Sequence, residues 1–104
     1  MAKLILQPKP TFEASVAIPA AGAGLIPVSF TFRHRTRAEL KTFVAGLGDY
    51  ANDTDLVMAM AIGWDLSDAF TSQNVELLVE NYVGAPTAIL EKYLDELARG
   101  RAKN

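Results

Sequence analysis

The chain has 104 residues, half of them hydrophobic and 21% charged, with a net charge of −2 and no cysteine. That length supports a single core, and the composition is globular rather than disordered. The charge balance excludes a domain that binds polyanions as a whole, and the missing thiols exclude disulfides, thiolate catalysis and thiolate metal sites.

Residues 1–10, MAKLILQPKP, carry a short apolar run, Leu4 to Leu6, followed by Pro8 and Pro10. The run is too short for a signal peptide. The prolines predict an extended N-terminal arm in which Leu4 and Leu6 dock as a short edge strand. In TFEASVAI, Phe12, Ala14, Val16 and Ile18 alternate with Glu13 and Ser15. In PVSFTFRH, Val28, Phe30 and Phe32 alternate with Ser29, Thr31 and Arg33. Both are period-2 patterns rich in β-formers, and they predict two strands. The glycines and bounding prolines of PAAGAGLIP make the connection a loop, so the strands pair as an antiparallel hairpin.

From Thr36 the period becomes helical. Thr36 and Glu39 have the T-x-x-E spacing of a capping box, and Leu40, Phe43, Val44 and Leu47 form an i, i+3, i+4, i+7 stripe that Gly46 and Gly48 end. NDTD, residues 52–55, supplies cap residues for a second helix through LVMAMAI. That helix is apolar on nearly every face, which predicts a buried central helix stopped by Gly63 before Trp64. A third helix starts after Thr71, with Phe70 and Val75 spaced as a hydrophobic staple and a stripe of Val75, Leu78, Val79 and Tyr82. Gly84 closes it. Pro86 suits the first turn of a fourth helix, whose stripe is Leu90, Tyr93, Leu94 and Leu97 and which Gly100 terminates. The expected fold is α+β: an N-terminal β-hairpin followed by about four helices packed as a small bundle. Residues 11–100 form the single domain, after the arm at 1–10 and before a polar tail at 101–104. No apolar run approaches the roughly 20 residues that span a bilayer, which predicts a cytoplasmic protein without membrane contact.

The sequence offers little for catalysis. His34 is the only histidine, and Arg33 and Arg35 on either side give it no orienting acceptor. No serine lies in a G-x-S-x-G elbow, and no phosphate-binding glycine loop is present. Asp49, Asp53, Asp55, Asp65 and Asp68 lack the central glycine and closing glutamate of a calcium loop, so capping explains them better than a metal. The expectation is therefore a non-enzymatic protein with no cofactor, no metal and no catalytic residues. What remains is Arg33, His34, Arg35 and Arg37, packed where a strand hands over to a helix. In extended chain the three arginines project to one side as an anion-seeking patch. A nucleic-acid reader usually adds net basic charge or stacking aromatics, and here Phe30 and Phe32 belong to the core face. The bland reading is a solvated surface with internal pairing to carboxylates; of the two occupants, a protein partner is favoured over a nucleic acid. Trp64, a lone tryptophan between helices, is either a core anchor or a binding hot spot. The partner-binding candidates are thus Arg33, His34, Arg35, Arg37 and Trp64.

The order of motifs completes this reading. F-x-F-x-H-R-T-R (Phe30 to Arg37), G-W-D (Gly63 to Asp65) and the ending A-R-x-x-A-K-N (Ala98 to Asn104) resemble the tail assembly chaperones of long-tailed phages and prophages. The likeness covers nearly the whole chain and departs at Val83, where a proline is expected. The resemblance implies a non-enzymatic protein of the bacterial cytoplasm that self-associates. It implies binding to the long tape measure protein, which is kept soluble while the tail tube polymerises, and absence from the finished virion. It also implies a longer form made by a −1 ribosomal frameshift, through which the tail tube protein is contacted. Ala102-Lys103-Asn104 can be encoded as GCA AAA AAC, which contains the slippery heptamer A AAA AAC. The alternative from another class is a small nucleic-acid-binding regulator that uses Arg33 to Arg37.

Overall fold

The two alternating segments form strands β1 (Thr11–Ala20) and β2 (Gly24–Arg33) in the computed structural model, which describes residues 3–99. They pair antiparallel in unbroken register, from Thr11 opposite Arg33 to Ala20 opposite Gly24. At the tip, Ala23 N–H donates to the Ala20 carbonyl at 2.9 Å. Gly22, at φ 80°, supplies the left-handed third position that such a turn requires. The period-2 pattern becomes a two-sided sheet. Val16, Ile18, Val28, Phe30 and Phe32 are buried on one face, while Glu13, Ser15 and Ala17 are exposed on the other.

Four α-helices follow: α1 (Arg37–Ala45), α2 (Asp53–Met60), α3 (Ser72–Asn81) and α4 (Ala85–Leu94). Their starts are where the cap residues put them. Thr36 N–H donates to Glu39 Oε1 at 2.9 Å and Glu39 N–H donates to Thr36 Oγ1 at 3.2 Å, the reciprocal pair of a capping box. Asn52 Oδ1 accepts from Asp55 N–H, and Thr71 Oγ1 accepts from Asn74 N–H. A three-residue 3₁₀ turn, Leu47–Asp49, follows α1, and α4 continues as a wider π-type turn through Arg99. The expected stop at Gly100 and the tail at 101–104 lie outside the described residues.

Three expectations are corrected. The apolar run after Asp55 is not one helix. It leaves the helix at Ala61, with φ −124° and ψ 155°, and residues Ala61–Trp64 form a third strand, β3, antiparallel to β2. The sheet order is β1-β2-β3. The pairing slips between Thr31 and Phe32, which leaves Ile62 as an extra, exposed residue. Asp65 then extends the edge: it donates its N–H to the Ser29 carbonyl at 3.0 Å and accepts Ser29 N–H on Oδ1 at 3.0 Å. Second, the helices do not pack around an axis of their own as a bundle would. Two of them cover the inner face of the sheet, α4 against β1 and α2 against β2 and β3, while α3 packs on α2 and α4. The sheet face carries Phe30 and Phe32, which are fully buried only because helices pack on it. Third, residues 3–10 form no strand, and Leu4 and Leu6 are 91% and 90% exposed.

α4 buries Ala85, Pro86, Ile89 and Tyr93, of which only Tyr93 belongs to the expected stripe. Leu90, Leu94 and Leu97 flank them half-buried, because α4 has both the sheet and other helices as neighbours. Tyr82, expected in the core, is 38% exposed and lies past the last residue of α3.

The corner between α3 and α4 touches the hairpin tip. A Cβ at Gly84 would stand 2.9 Å from Pro19 Cγ, whereas one at Gly48 would meet nothing within 4 Å. The Pro19 ring is held by its own backbone and yields little. Gly84→Ala should therefore cost about 1–3 kcal/mol in urea unfolding, with Gly48→Ala close to neutral.

Candidate functional site

β2 ends at Arg33 and α1 begins after the Thr36 cap, so three residues make the turn from sheet to helix. The turn separates the arginines that an extended chain would align. Arg33 and Arg37 are exposed. Arg35 points inward. Its Nη1 donates to the Tyr93 hydroxyl at 2.7 Å and to the Ala59 carbonyl at 3.0 Å, and its Cζ lies 4.4 Å from the centre of the Phe43 ring. The Tyr93 hydroxyl, having accepted from Arg35, donates to the Arg33 carbonyl at 2.8 Å. One guanidinium and one phenol thus join the end of β2, the end of α2, α1 and α4. Burial raises the Tyr93 pKa above its ordinary value of 10.0, against the opposing hydrogen bond from Arg35. The Glu39 carboxyl is shifted down, chiefly by the Thr36 backbone N–H that it accepts.

His34 is half-buried, and its backbone N–H donates to the Pro10 carbonyl at 2.8 Å. That bond fixes where the arm leaves the sheet, and it sets residues 3–8 alongside α1. Between them runs an open groove of about 970 Å³. Leu4, Ile5 and Leu6 line one wall, Leu40 and Val44 of α1 the other, and Leu97 closes an end. Leu4, Ile5, Leu6 and Val44 are all exposed. The charged side chains around the groove are Arg35, Arg37 and Lys41, with His34 beside them and no carboxylate among its lining residues.

The structure therefore brings His34, Arg35 and Arg37 to one groove, with Arg35 largely spent on internal bonds. Arg33 lies at the strand end outside that lining, and so does Trp64. Trp64 is half-buried, packed edge-to-face on Phe70 at 5.0 Å and on Phe30 at 6.1 Å, and its indole N–H donates to the Asp68 carbonyl at 2.7 Å. Sequence reasoning missed the groove's apolar walls. The signal was present: Leu4 to Leu6 form an apolar run with no alternation, and Val44 sits at the edge of the α1 stripe.

Compared with known families, the whole chain, residues 1–104, matches the phage tail assembly chaperones, and it belongs to that non-enzymatic family. No curated protein and no solved structure matches it. Family membership gives it protein partners in tail assembly. Among the described residues, no helix is long and apolar enough to cross a membrane.

Two outcomes follow from the inward arginine. Arg35→Met keeps a side chain of similar reach but leaves the Tyr93 hydroxyl and Ala59 carbonyl short of a donor. It should cost about 1–3 kcal/mol in urea unfolding, whereas Arg33→Glu and Arg37→Glu should stay within about 0.5 kcal/mol. The raised Tyr93 pKa means that the folded state holds its proton more tightly than the unfolded chain. Stability is thus undiminished below pH 10.0 and falls as the pH rises from there through the folded-state value. In Tyr93→Phe this alkaline loss should be reduced, read as urea midpoints across that pH range.

Proposed function

We propose that this chain binds the tape measure protein in the cytoplasm of the bacterial host, keeps it soluble while tail-tube subunits assemble around it, and is left out of the finished virion. The observation that carries this reading is the groove beside the arm. Leu4 and Leu6 are exposed to 91% and 90% among the described residues. Isolated apolar residues on a surface are ordinary; a run of three facing a helix across an open groove is a recognition feature. An amphipathic client helix would lay its apolar stripe between the arm and α1. Acidic residues on its flank would meet Arg37 and Lys41, which gives orientation and faster encounter. A long client exposes many such stripes, and covering them one at a time prevents their collapse on one another.

A longer form made by −1 frameshifting over the codons for Ala102-Lys103-Asn104 belongs to the same reading. It would carry the contact to the tail tube protein, leaving the groove for the client.

Co-expression with the tape measure protein tests the proposal. The client should remain in the soluble fraction and co-purify with this chain. Leu4→Asp with Leu6→Asp should abolish that effect, and Arg37→Glu with Lys41→Glu should weaken binding about tenfold. A client that precipitates with or without the chain overturns the chaperone reading. A client solubilised equally well by all the variants overturns the groove and leaves the chaperone reading standing.

A further inference from the structure

We propose that the free edge of β1 binds an extended segment of a partner protein as a fourth strand, and that the segment it selects carries basic residues on both of its faces. This inference stands on the sheet edge and its acidic flanks, and does not depend on which client the groove takes.

β1 is an edge strand of ten residues. The Pro10 carbonyl accepts the His34 backbone N–H, and the register runs unbroken from there. Alternation therefore turns the even-numbered residues of β1 toward β2 and the odd ones outward. The far side of the hairpin agrees: Ser29, opposite Ser15, spends its N–H and carbonyl on Asp65, away from β1. The backbone groups of Thr11, Glu13, Ser15 and Ala17 thus lie along the open edge. Among the described residues no other segment hydrogen-bonds to them. Pro19, also outward, has no N–H and ends the usable stretch. Natural edges are blunted by shortness, bulges or lysines. β3 is so blunted, with four residues and a slipped register. β1 has neither a bulge nor a lysine.

The flanks of this edge decide what it admits. On the outer face the strand's single charge is Glu13, which is exposed. On the inner face, α4 turns Ala88, Glu91, Lys92 and Asp95 toward the edge, and with Ser15, Val16 and Ala17 they border a hollow of about 460 Å³. Lys92 is bridged to Glu96 at 3.2 Å, and Asp95 to Arg99. Glu13 and Glu91 have no ion pair among the described residues.

A fourth strand would set one row of side chains beside Glu13 and the other over the hollow. There the small Ala88 leaves room for a long aliphatic stem, and Glu91 can receive its charged end. One lysine or arginine on each face then meets a carboxylate that lacks a partner. In antiparallel pairing, residues opposite Glu13 and Val16 are three positions apart and so fall on opposite faces. The segment's signature is therefore two basic residues with two β-formers between them. A second copy of β1 does not meet it: TFEASVAIPA has one glutamate and no cation, and would leave both carboxylates unpaired.

The probe is the acetylated, amidated nonapeptide TVKTVKTVT, with TVETVETVT as its charge-reversed counterpart. Paired antiparallel, its sixth residue falls opposite Glu13 and its third opposite Val16. Each peptide is titrated into the isotope-labelled full chain by NMR, with amide hydrogen exchange read along β1. The lysine peptide should bind about four- to thirtyfold more tightly than the glutamate peptide, and should slow exchange at Glu13, Ser15 and Ala17. Glu13→Lys with Glu91→Lys should reverse the preference. Ser15→Pro removes one outward N–H and should abolish binding, with circular dichroism to show the fold intact. Equal binding of the two peptides overturns the proposal, as does binding that leaves those amides exchanging freely. Absence of binding also overturns it. So does an edge already taken by a second copy, seen in sedimentation velocity as a dimer that the lysine peptide does not disperse.

Discussion

The hydroxyl of Tyr93 is the point on which this fold turns. A phenol with no exposed surface must satisfy its oxygen internally, and it does so by accepting from Arg35 and donating to the Arg33 carbonyl. Those two bonds tie a residue near the end of the described chain to the strand–helix junction some sixty positions earlier. Arg35 completes the joint through Ala59, and its guanidinium is stacked on Phe43. No buried side-chain polar atom among the described residues lacks a partner. A polar joint within an aromatic cluster is specific in a way that apolar contact is not, because only one arrangement of β2, α1, α2 and α4 satisfies it.

The groove inherits its shape from this joint. Phe43 points into the core against Tyr93 and holds α1 by one face, which leaves Leu40 and Val44 turned toward the arm. The His34–Pro10 bond places the arm opposite. A protein with a net charge of −2 thus presents a locally cationic apolar surface. The sign is set by which residues the junction leaves outside, Arg37 and Lys41, and by the removal of Arg35 to the interior. Basic residues grouped in sequence were divided between two tasks by a single turn.

Most of the fold was legible because it was written in local chemistry. The hairpin came from alternation, and the four helix starts came from Thr36, Asn52, Thr71 and Pro86, whose cap or first-turn roles depend on residues within one turn. β3 was not legible. Ala61 and Ile62 continue the apolar run with no breaker before Gly63, and what makes Ala61–Trp64 a strand is the open edge of β2, a long-range fact. The same holds for α4, where Ile89 is buried and Leu90 only partly so because two neighbours compete for one helix. At the site, the basic run and its place at a strand–helix junction could be read directly. The fate of Arg35 could not, since its partners Ala59 and Tyr93 lie 24 and 58 residues away. Leu4 and Leu6 suggest a docked strand in the arm; instead, they are exposed and line the groove.

The position of Tyr93 in the chain also bears on how the protein is made. Phe30 and Phe32 emerge from the ribosome early, on a hairpin that closes locally, but α4, which covers β1 and carries the phenol, is synthesised last among the described helices. Until it arrives, the β1 side of the inner sheet face has no lid and the Arg33 carbonyl lacks the Tyr93 hydroxyl. Translation itself therefore sets an interval in which the domain's own apolar surface is uncovered, and the interval closes only when a helix from the far end of the domain docks.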